Sequence, residues 1–466
     1  MKNLLRDSFY INPKKQNPNH PTGDSMINIA QGSKKINSKG GNILIGTQLF
    51  SIGLEKMNHL TTSKTKYGEF SHSDIAMMAV TLLANGKSDF ADIDLYRNDS
   101  LFKTVLNLKK VASSATFRQR LDELGKCNST QTLFDEYIVN HLRKVSDYGK
   151  LTTAVGSYIP LDIDVSVMLQ PDCHKEKVCW TYHNAPGYAP IFCYLGTHGY
   201  MLGNELRPGS QHCSKGAIEF TQRCITKAEK LGLQADELLI RADSGHDDND
   251  YFKALHEANV KFLVKHNLRK ESPEQYLALA RRCGLQIQSR DGKNVYRCTL
   301  SHRKPIGYED VPMFLIVEVT ERLTTSDGEM LLIPEIEVSA WWTNLCEEEA
   351  VCIEFYYDHG TSEQFHSEFK TDMNLERLPS GKFTTNALIL NLAVIAYNCL
   401  RFIGQEALKS SKIPVKLTVT RRRLRSVLQD MIYVGCKIVS HAKSICIKFG
   451  CDCLWFSCIK DVYARC

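Results

Sequence analysis

No apolar run in this 466-residue chain is long enough to span a bilayer. The longest, residues 387–400, is interrupted by Asn391 and Asn398 and reads as a buried core helix. The opening Met1-Lys2-Asn3-Leu4-Leu5-Arg6-Asp7 lacks the apolar stretch of a secretory signal. Both absences weigh against a membrane-bound or exported protein, and a cytoplasmic chain is expected. A disulfide framework is also missing: the 17 cysteines are odd in number and scattered, which fits free thiols in a reducing compartment. Cys446, Cys451, Cys453, Cys458 and Cys466 crowd one end. Cys451-Asp452-Cys453 is too tight for a zinc pair, and no second pair has the spacing. Nor is there a bulk excess of one charge. A net +6 permits a nucleic-acid partner without demonstrating one. What remains is an ordinary globular composition, 43% hydrophobic and 24% charged. That is enough for a large core and, at this length, for two to four domains.

Residues 1–45 are rich in Asn, Lys, Pro, Gly and Ser and lack a period. They read as a flexible lead-in with the weak basic pairs Lys14-Lys15 and Lys34-Lys35. Residues 46–150 are helical in pattern. Ser73-Asp74 reads as a cap before a run over 75–83, which Asn85-Gly86 ends, and further starts lie at Asp99-Ser100 and Ser113-Ser114. Two readings fit these short helices: a DNA-binding, helix-turn-helix-like unit using Arg118 and Arg120, or a plain bundle with surface arginines. From 151 the period becomes two. Leu161, Ile163, Val165, Val167 and Leu169 fall on one strand face, and Asp162, Asp164 and Ser166 on the other. Two carboxylates on such a strand are costly unless paired or metal-bound. Strands at 190–195 and 200–206, a helix over 214–231, a strand at 237–240, a helix over 250–259 and a strand at 260–264 follow. The order is β-β-β-α-β-α-β. Residues 268–341, with β-like runs at 295–300 and 313–319, read as an inserted β subdomain that splits a core of 151–267 and 342–405. Residues 406–466 form a basic C-terminal region. Its densest run, Arg421-Arg422-Arg423-Leu424-Arg425, is either a solvated helix start or a phosphate-contacting surface.

Tyr356, His359, Glu363 and Lys370 are spaced three, four and seven apart, one stripe of a helix. Such a stripe is normally apolar, and this one is polar, with Phe365 and Phe369 beside it as anchors. Gly360 leaves open one continuous helix or a break with Thr361 or Ser362 capping the second part. Taken alone, the stripe reads as a solvated face. Asp164 on the first strand and Asp243 at the end of a later one change that reading, because ligands of open α/β sheets gather at the carboxyl ends of strands. With Glu363 they make an oxygen-donor set suited to Mg²⁺. Two such ions would activate an attacking oxygen and stabilise a leaving oxygen of a phosphodiester.

These residues resemble the motifs of the DDE transposases of bacterial insertion sequences, and most nearly those of insertion sequence family thirteen-eighty. Tyr356, His359, Glu363 and Lys370 stand at the positions of that family's Tyr-x2-Arg-x3-Glu-x6-Lys. Arg241-Ala242-Asp243-Ser244-Gly245 is similar to its Arg-x-Asp-Ser-Gly. Leu161-Asp162-Ile163-Asp164-Val165-Ser166 resembles its Leu-Asp-x-Asp-x-Thr, matching Asp164 ahead of Asp162. Arg207-Pro208-Gly209 resembles a further feature, and the likeness covers about residues 100–405. His359 departs from the family's Arg, exchanging a permanently charged fork for an imidazole charged only at lower pH. That departure bears on local activity and not on fold.

The resemblance implies an α/β fold: an RNase H-like core, a mixed sheet flanked by helices, with an inserted β subdomain and an N-terminal helical domain. It implies a transposase that binds terminal inverted repeats, cuts each element end and joins the 3′-hydroxyls to target DNA. Asp164, Asp243 and Glu363 would hold two Mg²⁺ (or Mn²⁺) ions, with Tyr356, His359 and Lys370 on the phosphate beside them. Arg118, Arg120, Arg421, Arg422, Arg423 and Arg425 would contact DNA. The expected partners are element-end and target DNA, bound by a homodimer or larger assembly at the nucleoid. Trp341 and Trp342 are either core aromatics or receivers of a flipped base. A same-fold metal-dependent nuclease without strand transfer, and a degenerate non-catalytic DNA-binding relative, are the alternative functions.

Overall fold

The computed structural model describes residues 9–11, 27–29, 31–57, 70–127, 129–171, 174–269, 271–301, 311–325, 327–416, 418–441 and 444–466. Lys14-Lys15 and most of the expected lead-in lie outside the described residues. Among the described residues, five α-helices fill the first third, and short polar side chains cap three of them. The five are α1 Asn42–Ser51, α2 His72–Leu83, α3 Ser100–Val105, α4 Ser114–Gly125 and α5 Thr130–Leu142. The cap of α2 is Ser71, two residues before the expected Ser73. Its hydroxyl accepts from Asp74 N, and the Asp74 carboxylate accepts from Ser71 N, a reciprocal capping box. Asp99 and Ser113 cap α3 and α4. The chain entering α1 lies against the C-terminal region: Asn37 and Cys436 exchange backbone hydrogen bonds of 2.8 Å. A Cβ on Gly41 would lie 1.9 Å from Met431 O, so only glycine permits that approach.

The first half of the alternating segment forms β1, Ser157–Val165, with Leu161 and Ile163 fully buried; the strand starts earlier than the alternation and stops at Val165, and Met168–Leu169 pair instead in a separate small sheet. Strands β2 Ile191–Leu195 and β3 Tyr200–Glu205 follow as a hairpin. Helix α6 Ala217–Lys230 leads to β4 Leu238–Ala242, and α7 Asn249–Glu257 to β5 Lys261–Lys265. This is the β-β-β-α-β-α-β order of the RNase H-like core. Strands β1, β4 and β5 run parallel side by side, and β2 and β3 extend the sheet antiparallel beyond β1.

The insertion begins with a helix, α8 Pro273–Cys283, where the pattern had indicated mainly strand. Ser272 caps it, Pro273 opens it, and Tyr276, Leu277 and Ala280 form its buried face. Strands β6 Leu285–Arg290, β7 Lys293–Leu300, β8 Phe314–Thr324 and β9 Met330–Thr343 then form a meander. They join the core sheet, because β9 pairs with β5 from Leu263 opposite Thr343 to Lys265 opposite Trp341. The sheet therefore reads β6-β7-β8-β9-β5-β4-β1-β2-β3.

After β9 come α9 Glu349–His359, α10 Thr361–Ser367 and the long α11 Phe383–Leu408. By length and composition α11 could cross a membrane, yet it is buried among α2, α4, α5 and β3. At 26 residues it is longer than the run 387–400 indicated. The apolar run stops at 400, but Arg401, Gln405 and Glu406 are buried and hydrogen-bonded, and the helix continues through them. The two asparagines have definite partners. Edge strand β3 would otherwise leave the Met201 backbone open. Asn398 Oδ1 accepts from Met201 N and Asn398 Nδ2 donates to Met201 O, both at 2.8 Å. Asn391 Oδ1 accepts from Asn204 Nδ2 at 3.0 Å. Replacing Asn398 by Leu leaves a buried N–H and C=O unpaired. We expect a loss of about 2–4 kcal/mol, measured from urea midpoints, and an unchanged midpoint would contradict this account of the edge.

Candidate active site

The end of β1, the turn after β4 and helices α9 and α10 border an open cleft of about 680 Å³. Asp164, Asp243, Tyr356, His359, Glu363 and Lys370 all line it. Gly360 separates α9 from α10, but its φ of −56° and ψ of −16° are right-handed helical, so the stripe keeps its direction. Two buried rings fix α10 and the turn that follows it. Phe365 packs on Tyr194 (5.1 Å between centroids) and Phe369 on Phe192 (5.4 Å). Phe365 also lies on Gly199, where a Cβ would come within 2.4 Å of the ring. A π-helical turn, Glu368–Asp372, follows α10, and Lys370 Nζ donates from it to Val167 O at 3.3 Å.

Asp162, the alternative first carboxylate, lies beneath this cleft and is fully buried. Arg241 grips it with Nε at 2.7 Å and Nη2 at 2.9 Å, and His359 Nδ1 lies 2.8 Å from the same carboxylate. Arg241 Nη1 reaches across to Phe355 O (2.7 Å) and Asp358 (2.9 Å) on α9. Burial opposes the charge on Asp162, but Arg241 and then His359 outweigh it and hold the carboxyl below its usual range. His359 is thus turned toward Asp162, with only its edge toward the cleft.

Asp164 stands two residues further along the same face. Its Oδ1 accepts from Val165 N (2.8 Å), and its Oδ2 lies 2.9 Å from His366 Nε2. The other nitrogen of His366 meets the Tyr194 hydroxyl at 2.9 Å. Burial opposes ionisation of Asp164 too, yet His366, with His359 and His246, keeps its carboxyl low. His366 was missed in the sequence. The signal was present, since it sits seven residues after His359 on the same stripe. Asp243 caps the turn after β4, accepting from Gly245 N (3.1 Å) and lying 2.8 Å from His246 Nδ1, with half its side chain exposed. Glu363 is exposed on α10. Among the described residues no group of three or more His, Cys, Asp or Glu side chains comes together in a way that could hold a metal ion, here or at the cysteine-rich end. Asp164, Asp243 and Glu363 line the one cleft without meeting as a cluster, and their carboxylates are oxygen donors of the kind a hard divalent cation takes.

A family model described as transposase DDE domain group 1 matches residues 19–292, more than half of the chain. The chain belongs to this family. The matched stretch contains Asp164 and Asp243 and ends before Glu363. Among curated proteins none matches. Among solved structures, the cryo-EM structure of the piggyBac transposase synaptic complex with hairpin DNA is similar at 10% identity and a TM-score of 0.41, over 85% of this chain and 80% of that one.

The arginines of this transposase are mostly engaged internally. Arg120 is buried and donates to Phe70 O (3.1 Å) and Glu123 (2.6 Å). Arg421 pairs with Glu368 and donates to Gln364 at 2.9 Å. Arg422 is buried against Asp430 and the Trp455 ring. Arg423 forks onto Asp372 with two 3.0 Å bonds. Arg118 and Arg425 are exposed. The C-terminal run therefore braces the π-turn one step beyond Glu363, aided by the buried pair of Arg401 with Glu368. Trp341 and Trp342 are both buried, the latter donating to His266 Nδ1 at 3.1 Å.

The buried Asp162 yields a prediction about acid stability. Its folded carboxyl sits below the unfolded value of about 3.9. Its contribution is complete above that value and is lost as pH falls through the folded one. Asp162→Asn should cost about 3–5 kcal/mol at neutral pH, since the buried Arg241 then loses its bidentate counter-charge and keeps only the partly exposed Asp358. It should also flatten the acid limb of stability. Urea midpoints across that pH range check both, and an acid limb as steep as in the natural chain would refute the assignment.

Proposed function

We propose that the chain is the transposase of a bacterial insertion sequence, of the family thirteen-eighty kind. It binds the element's terminal inverted repeats, cuts a phosphodiester at each end and joins the 3′-hydroxyls to target DNA. The observation that carries this reading is the single cleft lined by Asp164, Asp243, Glu363, Tyr356, His359 and Lys370 at the strand ends. Asp164, Asp243 and Glu363 would hold two Mg²⁺ or Mn²⁺ ions, which when bound supply activation of the attacking oxygen and stabilisation of the leaving one. His366 and Val165 N orient the Asp164 carboxylate toward the cleft. Lys370, its pKa lowered by burial against the pull of Glu376 and Asp164, offers an ammonium to a phosphate oxygen. The Tyr356 hydroxyl, its pKa raised by burial, stays a neutral donor beside it. His359 steadies α9 over the site through Asp162 and presents its remaining ring edge to the phosphate. Two or more copies would act together on DNA in the cytoplasm, with Arg118 and Arg425 contributing phosphate contacts.

The test is cleavage and joining of element-end DNA, with Mg²⁺ and with a chelator. Asp164→Asn, Asp243→Asn and Glu363→Gln should each lower cleavage by at least about 100-fold, more than loss of an outer-shell partner, and the chelator should abolish it. Cleavage without joining would transfer the reading to a same-fold nuclease. Binding without cleavage in the natural chain would leave a non-catalytic DNA-binding relative. The exposed arginines have their own readout: neutralising Arg118 and Arg425 together should flatten the salt dependence of binding by up to about two in log–log slope. No change in slope would return both to the solvated surface.

A further inference from the structure

The connection from β1 to β2 folds into a small antiparallel sheet of Met168–Leu169, Cys179–Trp180 and Pro186–Tyr188. Its hairpin tip is held rigid. Thr181 is buried, and both its N–H and its hydroxyl donate to Ala185 O, at 3.0 and 2.9 Å. The residues on either side are held outward: Trp180 is 67% exposed and Tyr182 65% exposed. The tip is also tied to the site. The Tyr182 hydroxyl donates to Val165 O at 3.2 Å, next to Asp164, and Tyr182 and His183 both line the cleft. The rings of Tyr182 and His183 lie 4.5 Å apart, tilted by 34°. Tyr182 and His183 thus stand in the wall of a cleft whose other lining includes carboxylates, hydroxyls, His359, His366 and Lys370, and Trp180 is exposed on the same braced hairpin two residues away.

From this arrangement we propose that Trp180, Tyr182 and His183 form a stacking platform for unpaired bases of a DNA strand whose phosphate lies in the cleft. The proposal rests on the DNA-cutting reading and names the ligand of the rim. Every base offers a π-face, so the platform reads strandedness and not sequence. The insertion's tryptophans are buried and leave this role to the β1–β2 hairpin.

The test uses the full chain and two short oligonucleotides of equal length, one of thymidines and one abasic with the same phosphates. Fluorescence anisotropy should show the thymidine strand binding at least about tenfold more tightly, as stacking on one or two rings gives. Trp180→Ala with Tyr182→Ala should remove most of that preference and leave the abasic affinity unchanged. Trp180→Phe and Tyr182→Phe should keep it, the latter showing that the ring acts and not the hydroxyl tether. Both side chains are exposed, so the alanine variant retains its fold. Equal binding of the two strands, or a preference that survives the double alanine change, overturns the platform while the DNA reading stands. Binding of neither strand overturns both.

Discussion

The site depends on a single buried charge network. Arg241 and Asp162 are both fully excluded from solvent, and an unpaired charge there would be severely destabilising. The fork–fork bond between them admits one relative position of β4 and β1. The third arm of Arg241, on Phe355 O and Asp358, extends the same constraint to α9. Those three elements carry or directly precede Asp243, Asp164 and Glu363. A cleft whose carboxylates come from distant parts of the chain is therefore positioned by one guanidinium.

A second set of charges closes the structure from the other side. Glu368 lies between Arg401 of α11 and Arg421 of the basic run, and Asp372 is held by Arg423. The π-turn after α10 is thus pinned between the central helix and the C-terminal region. Asn398 seals the β3 edge with the same helix. Helix α11 connects these contacts, packing on the N-terminal helices and the sheet edge and bearing Arg401.

Much of the architecture was legible because it follows local rules. The alternation disclosed the 161–165 half of β1 and put Asp162 and Asp164 on one face, though residues 166–169 leave the strand, and the turn and helix signals disclosed the strand order. What escaped reading was set by tertiary partners. Arg421, Arg422 and Arg423 look like a free basic patch in one dimension, and only the fold supplies Glu368, Asp430 and Asp372 opposite them. Asp162 and Asp164 are chemically alike in the sequence, and the difference lies in which of them meets Arg241. His366 shares the stripe of His359 but stands at none of the motif positions, and only the fold brings it onto Asp164. Helix α8 was hidden by Arg281-Arg282, which extend its solvent face and do not break it. The polar residues 401–406 looked like the end of α11 because their buried partners come from other segments.

The central claim is that Asp164, Asp243 and Glu363 together form one divalent-cation and phosphate site. It is tested most directly by crystals of the protein grown with Mn²⁺ and a short DNA duplex, using the anomalous scattering of the ion. The account predicts Mn²⁺ between the Asp164 and Asp243 carboxylates, with Glu363 and a DNA phosphate completing the site and Arg241 still paired with Asp162. Mn²⁺ bound elsewhere, or a duplex seated away from this cleft, would contradict it.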